Sequence, residues 1–480
     1  MEYIHLHLSL FLLSAYALNV LAASHAILNK RDPRAILIWI GFCIFLPLGG
    51  SLLYWTFGVN RIRTHARRLH HRGGWSHGTA IDRHHWPSPS RLDRGGGVEY
   101  GPLRKLSDSV TRRPLLQGNR ITVLSTGEEA YAAMRAAIRA ARRSVFLSTY
   151  IFDADTTGMA FVQDLAAAAK RGLRVRVLVD GLGEKYSPRP ISRILTDAGV
   201  RCARFLPVEW RLHRMHLNLR NHRKILVTDN LLGFLGGMNI RDAHNSGYAR
   251  AVGRIQDLHF KVEGPAAWEM QEVFLEDWYF TTRESLPWPS RPQRASPGSS
   301  VCRVISDGPN EDFEKFHHLL LGIMAWARKR LRIMTPYFVP DRVVIAGLQH
   351  AALRGVKVEI ILPAVNNLPF VAWASRAYLW ELLQRGIQVF EQPGPFAHGK
   401  ALTADGAYSL VGSSNIDSRS LRLNFESNLE VYDPAFTRIL DRKFDLTLEK
   451  SRRLTLERIN GEPLPARFRN AVFKVLSPYL

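Results

Sequence analysis

A duplicated motif constrains this chain more than any other feature. His222-Arg-Lys-Ile-Leu-Val-Thr-Asp-Asn-Leu-Leu-Gly-Phe-Leu-Gly-Gly-Met-Asn239 is echoed 176 residues later by His398-Gly-Lys-Ala-Leu-Thr-Ala-Asp-Gly-Ala-Tyr-Ser-Leu-Val-Gly-Ser-Ser-Asn415. In both copies a His is followed by Lys at +2, Asp at +7, Gly at +14 and Asn at +17. A pattern that recurs once at one offset points to two half-domains building one active site.

The flanking segments repeat in step. In the first half an amphipathic helix over Glu128–Arg143, with Tyr131, Met134, Ile138 and Ala141 on one face, precedes a β-rich run at Val145–Phe152. An Ala-rich helix ending at Gly172 and a strand at Leu173–Val179 follow. The second half offers a helix over Phe313–Arg330, a strand at Leu331–Val339, a helix ending at Gly355 and a strand at Val356–Leu362. Strands alternating with helices predict an α/β sheet in each half.

The chain is 480 residues long and carries a net charge of +23, which calls for an anionic partner: nucleic acid, a membrane surface or an acidic substrate. Cys43, Cys202 and Cys302 lie far apart, so neither a disulfide framework nor a zinc site is indicated. Tyr3–Leu28 is largely apolar without a full charge, and Ala35–Gly58 runs 24 residues with none. About 20 apolar residues cross a bilayer, so two transmembrane helices are expected; a cleaved signal peptide is disfavoured because no basic segment opens the chain. Arg61, Arg63, Arg67, Arg68 and Arg72 outnumber Lys30, Arg31 and Arg34, which favours a hairpin with both ends in the cytoplasm.

These features divide the chain into an anchor (1–60), a basic His/Arg-rich linker (61–117), a first half-domain (118–284), a second linker (285–300) and a second half-domain (301–480). The six histidines from His65 to His85 have almost no acidic partners and lie on no clear periodic element, so the linker reads as a basic segment along anionic headgroups rather than as a metal site. Near the C-terminus, Phe468, Ala471, Val472, Val475 and Leu476 share a helical face, suited either to a membrane interface or to packing on the domain.

In an extended run alternate residues share a face, so His222 and Lys224 point together, as do His398 and Lys400. A histidine can attack phosphorus or carry a proton near neutrality, and a lysine holds phosphate oxygens. Gly237, Asn239, Ser413 and Asn415 at the motif ends supply backbone, amide or hydroxyl donors for the phosphate. Asp229 and Asp405 belong to the catalytic motif by position; they either face inward or serve as turn residues, and the structural role is favoured. No carboxylate cluster lies near either motif, so neither a metal nor another cofactor is expected.

The paired motif resembles that of the phospholipase D superfamily. The hairpin ending Leu52-Leu-Tyr-Trp-Thr-Phe-Gly58, Thr335-Pro-Tyr-Phe-Val-Pro340, Trp373-Ala-Ser-Arg-Ala377, Asn424-Phe-Glu426 and Ser477-Pro-Tyr-Leu480 are similar to segments of bacterial cardiolipin synthases. The resemblance implies two pseudo-twofold-related α/β/α half-domains behind a transmembrane hairpin, with a site at their interface and a metal-free phosphohistidine route. It implies an orienting carboxylate for each His: Asp257 for His222 and Glu426 for His398. Gly237 departs from the Ser usual in the superfamily.

The implied activity joins two phosphatidylglycerol molecules into cardiolipin and glycerol, with His222 as nucleophile and His398 as acid. Hydrolysis of phospholipase D type, or transfer to another alcohol, is the enzymatic rival. A nuclease is disfavoured by the hairpin, so no nucleic acid partner is expected. Phosphatidylglycerol and anionic membrane lipid are the expected partners. The expected location is a bacterial inner membrane, multi-pass, with the catalytic body in the cytoplasm.

Overall fold

The computed structural model describes residues 2–30, 33–46, 48–59, 99–207, 219–248, 253–288, 290, 296–309 and 314–477, so most of the His-rich linker lies outside the described residues. The chain separates into two compact units, 1–69 and 70–480.

In the first unit a helix over Glu2–Asn29 is followed by a helix over Pro33–Phe45, a short one over Gly49–Leu53 and a π-helical turn at Tyr54–Gly58. Sequence reads Ala35–Gly58 as one uninterrupted span; the structure divides it. The division falls between Phe45 and Gly49, where Leu48 takes a left-handed φ of 63°. Gly50 packs so tightly that a Cβ there would meet the Phe42 carbonyl oxygen at 2.0 Å. Among the described residues no helix is long and apolar enough to cross a membrane.

The first half of the second unit contributes β1 (Leu116–Leu124), β2 (Ser144–Thr149), β3 (Arg174–Asp180), β4 (Arg201–Phe205), β5 (Ile225–Thr228), β6 (Leu232–Gly236), β7 (Ile255–Gln256) and β8 (His259–Glu263). The second half adds β9 (Ser300–Asp307), β10 (Arg330–Met334), β11 (Phe338–Val339), β12 (Lys357–Pro363), β13 (Gln388–Gln392), β14 (Phe396–Ala397), β15 (Ala401–Ala404), β16 (Tyr408–Gly412), β17 (Ile416–Asp417), β18 (Glu426–Tyr432) and β19 (Arg452–Arg453). Fifteen of these strands form one sheet in the order β19-β13-β12-β10-β15-β16-β18-β9-β1-β8-β6-β5-β2-β3-β4.

Read outward from its centre, the order β1-β8-β6-β5-β2-β3-β4 in one half matches β9-β18-β16-β15-β10-β12-β13 in the other. The halves meet where β1 pairs antiparallel with β9, Leu116 opposite Cys302 and Asn119 opposite Ser300. β2, β5, β9, β15, β16 and β18 are buried along their whole length because helices cover both faces. Helices Gly127–Ala140, Thr156–Lys170 and Ile191–Asp197 close one face of the first half over Phe161, Val177 and Leu226. The equivalent layer of the second half contains helices Lys315–Trp326, Arg342–Leu353 and Pro369–Leu383. A third core, with Met270, Val273, Phe436 and Leu440 beneath helices Ala266–Thr282 and Pro434–Lys450, draws side chains from both halves.

Residues 101–111, read from sequence as linker, form a helix on the body. Tyr100 and Leu103 enter the second half's core, and Ser107 donates to Glu430 Oε2 at 3.1 Å. Proline at the second helical position starts this helix, and Arg112 in the left-handed region ends it.

Candidate active site

Each motif begins just before a strand: His222-Arg-Lys precedes β5 and His398-Gly-Lys precedes β15. Main-chain bonds dock each His segment on the opposite half. The His222 amide donates to Phe425 O at 2.9 Å and the His398 amide to Gln256 O at 2.6 Å. In the second case β14 runs parallel to β7, with Ala397 opposite Gln256. The residues following those two acceptors are Glu426 and Asp257.

That docking decides which carboxylate meets which histidine. His222 Nδ1 lies 3.1 Å from both Glu426 oxygens, and His398 Nδ1 lies 2.8 Å from Asp257 Oδ2. The assignment made from sequence, Asp257 to His222 and Glu426 to His398, is therefore reversed: each half supplies the carboxylate for the other half's histidine. With Nδ1 engaged, the His222 ring leaves Nε2 for chemistry, while His398 Nε2 faces the Lys400 ammonium.

Lys224 and Lys400 fold back so that each Nζ donates to its own histidine's carbonyl at 2.6 Å. Lys400 Nζ also sits 3.0 Å from the His398 ring nitrogens. Burial pushes the Lys224 ammonium down to about 7 and that of Lys400 down to about 8, against the opposing pull of Glu426 and Asp257. Burial also holds both histidines below the ordinary imidazole value, Glu426 opposing it at His222 and the two lysines reinforcing it at His398. Burial raises Glu426, yet His222, Lys224 and Ser413 outweigh it and leave that carboxyl below its usual range. At Asp257 burial wins, and the carboxyl is raised.

The remaining motif residues hold less uniform places. Asp229 accepts from the amides of Arg142, Arg143 and Ser144 at 2.7–3.0 Å. Asp405 does the same for Arg328, Lys329 and Arg330, at 2.8 Å each. Both head tight hairpins, with φ of 53° at Asp229, 66° at Asn230, 54° at Asp405 and 66° at Gly406, the left-handed pair such a turn requires. Through these contacts the two carboxylates tie the β5–β6 and β15–β16 turns to the starts of β2 and β10, the turn role that the sequence reading favoured over an inward-facing one.

Gly237 faces Asp257, and a Cβ there would lie 2.2 Å from Asp257 Oδ1. The equivalent Ser413 donates to Glu426 Oε2 at 2.5 Å, so its hydroxyl serves the carboxylate rather than an open phosphate pocket. Asn239 Oδ1 accepts from the Ile151 amide at 3.1 Å, while Asn415 Nδ2 donates to Ser420 Oγ at 3.3 Å.

Several neighbours escape sequence reading. The Tyr150 ring packs edge-on to His222 at 5.2 Å, and that of Tyr337 edge-on to His398 at 6.0 Å. A usable signal existed: a Thr precedes each Tyr by one or two residues, and both hydroxyls close the same turn, Thr149 onto Ile151 O and Thr335 onto Tyr337 O. Ser420 Oγ donates to Glu426 Oε1 at 2.9 Å. Burial pushes His244 down to about 3, so it stays neutral, and its Nε2 accepts from the Asn239 amide at 3.3 Å.

A family model described as cardiolipin synthase, PLD-like domain, matches residues 134–278 and 320–447, and one described as phospholipase D-nuclease N-terminal matches 17–58. Cardiolipin synthase of Geobacillus kaustophilus is 31% identical over 457 residues, covering 94% of this chain and 90% of that protein. Cardiolipin synthase A of Pseudomonas putida is 31% identical over 468 residues, covering 97% of each. In fold, the crystal structure of phosphatidylserine synthase from Haemophilus influenzae is similar with a TM-score of 0.61 at 15% identity, over 79% of this chain and all of that one. With two histidines facing crossed carboxylates, and relatives aligned over nearly its full length, this chain belongs to the cardiolipin synthase family with phospholipase D-like domains.

Proposed function

We propose that this protein is a cardiolipin synthase that transfers a phosphatidyl group from one phosphatidylglycerol to another. The observation that carries the reading is the crossed pair of buried His–carboxylate contacts beside two lysines, in a chain whose full-length relatives are named cardiolipin synthases. His222 Nε2 attacks the phosphorus while Glu426 accepts its Nδ1–H and balances the imidazolium that forms. Lys224 and Lys400 neutralise the non-bridging oxygens. The bond from phosphorus to the glycerol headgroup breaks, and His398 gives that oxygen a proton. His398 then takes a proton from the primary hydroxyl of a second phosphatidylglycerol, whose oxygen attacks phosphorus and frees His222.

The assignment of His222 as nucleophile draws support from Glu426, which is held ionised where Asp257 is raised. Histidines kept neutral by burial suit attack, and the arriving phosphodiester anion raises His398 so that it can carry the second proton. The two N-terminal segments serve as a membrane-embedded anchor in a bacterial inner membrane, with the body on the cytoplasmic side. The basic run from Arg61 supports that orientation.

Labelled phosphatidylglycerol given to the purified protein should yield cardiolipin and free glycerol; phosphatidic acid alone would identify a hydrolase and sink the reading. A His398→Asn variant should accumulate a phosphatidyl adduct. Peptide mapping that finds it anywhere but His222 would reverse the two roles.

A further inference from the structure

We propose that the C-terminal helix Leu464–Val475 is a bilayer-contact element, mounted on the catalytic body so that its apolar stripe enters the headgroup boundary of an anionic membrane. Leu464, Phe468, Val472 and Val475 recur at helical spacing and are 75%, 71%, 42% and 76% exposed; Leu476 continues them at 43%. A helix packed on a soluble body normally turns such a stripe inward. This one is held by its other side.

Asn470, the buried residue of the helix, donates to Glu462 Oε2 at 3.0 Å. Lys474 Nζ donates to Glu381 Oε1 at 2.8 Å and to Ala377 O at 3.3 Å. Just beyond the helix, Ser477 Oγ and the Tyr378 hydroxyl are 2.8 Å apart. Phe473 packs against Trp373 with ring centres 5.0 Å apart, and the Arg469 guanidinium lies 4.5 Å from the same indole. These contacts all reach the helix Pro369–Leu383 or the segment before residue 464. They fix the helix's rotation and leave the stripe outside.

A second copy of the chain is a poor occupant. Twelve residues span about 18 Å, and one face of that length covers a few hundred Å², short of the roughly 800 Å² per partner of a stable interface. A lipid surface needs no such area, and charge favours an anionic one. Residues 451–480 carry six Arg or Lys against two Glu, and Arg452, Arg453, Arg458 and Arg467 are exposed.

Nitroxides attached at Phe468→Cys and Val475→Cys, with Glu457→Cys as an exposed control, test this in the full chain with Cys202→Ser. The protein is reconstituted in vesicles of phosphatidylglycerol and, separately, of phosphatidylcholine. In phosphatidylglycerol vesicles the labels at 468 and 475 should become more accessible to oxygen than to a water-soluble nickel chelate, while 457 keeps the opposite order. In phosphatidylcholine the contrast should shrink. Labels at 468 and 475 that stay water-accessible in both vesicles overturn the proposal. So do labels that show spin–spin broadening between chains, which would reveal a second copy on the stripe. Phe468→Asp/Val475→Asp should raise KM for phosphatidylglycerol in vesicles about tenfold and leave turnover of a short-chain, water-soluble analogue unchanged. The depth measurement needs no turnover, so failure of the synthase reading and failure of this one are distinguishable.

Discussion

Glu426 and Asp257 are the residues at which the site is most exposed to change. Glu426→Gln should slow adduct formation by about 10²- to 10⁴-fold, the range seen when a histidine loses its orienting carboxylate. Nitrogen NMR should show the His222 ring perturbed in that variant and unperturbed in Asp257→Asn; the reverse result would refute the crossed pairing. Gly237→Ser places a side chain where Asp257 sits, 2.2 Å from Oδ1, and should cost about 10²-fold in kcat by shifting the carboxylate off His398. Adding Asp257→Glu recreates the Ser413/Glu426 arrangement and should restore part of that rate. The lysines make their own prediction. With Lys224 near 7 and Lys400 near 8 in the free enzyme, raising the pH strips positive charge from the phosphate site, so kcat/KM should fall on the alkaline side. A bound phosphodiester favours the charged ammonium, so the limb in kcat should lie at higher pH than the limb in kcat/KM. A kcat/KM flat between pH 6 and 9 would remove the lysines from phosphate binding.

At the scale of the element, each motif is two devices in sequence. His and Lys sit in an extended segment that meets the opposite half's carboxylate, and the Asp five residues beyond Lys closes the hairpin that follows. Asp405→Ala removes the acceptor of three amides and should cost about 1–3 kcal/mol of stability, read as a lower Tm. It should leave kcat/KM of the folded enzyme within about twofold. A loss of activity without a loss of stability would return Asp405 to the catalytic set. Spacing places His and Asp in one motif and only favours a turn role for the Asp; the left-handed backbone at Asp405 and Gly406 supports that role. The second apolar segment follows the same lesson. Its composition reads as one span, while the structure divides it between Phe45 and Gly49, with Leu48 in the left-handed region.

For the whole molecule, one sheet through β1 and β9 holds both halves, and main-chain contacts at Phe425 and Gln256 carry each histidine to the far half's carboxylate. Mixing a His222→Ala protein with a His398→Ala protein should therefore restore no activity, because each chain completes both pairs within itself. Recovered turnover would show that halves exchange between chains. Sequence by itself determined the duplication, the α/β alternation and the histidines and lysines, since these follow from residue type and local period; the two carboxylates became candidates only through the family resemblance. Sequence could not determine which carboxylate serves which histidine, because separations of 35 and 28 residues are equally compatible with partners in the same half or across the interface. Nor could it say which side of the C-terminal helix faces out: its pattern marks an apolar stripe, while Trp373, Tyr378 and Glu381 on another helix decide the rotation. Those outcomes depend on contacts between segments far apart in the chain, and only the tertiary structure brings such segments together.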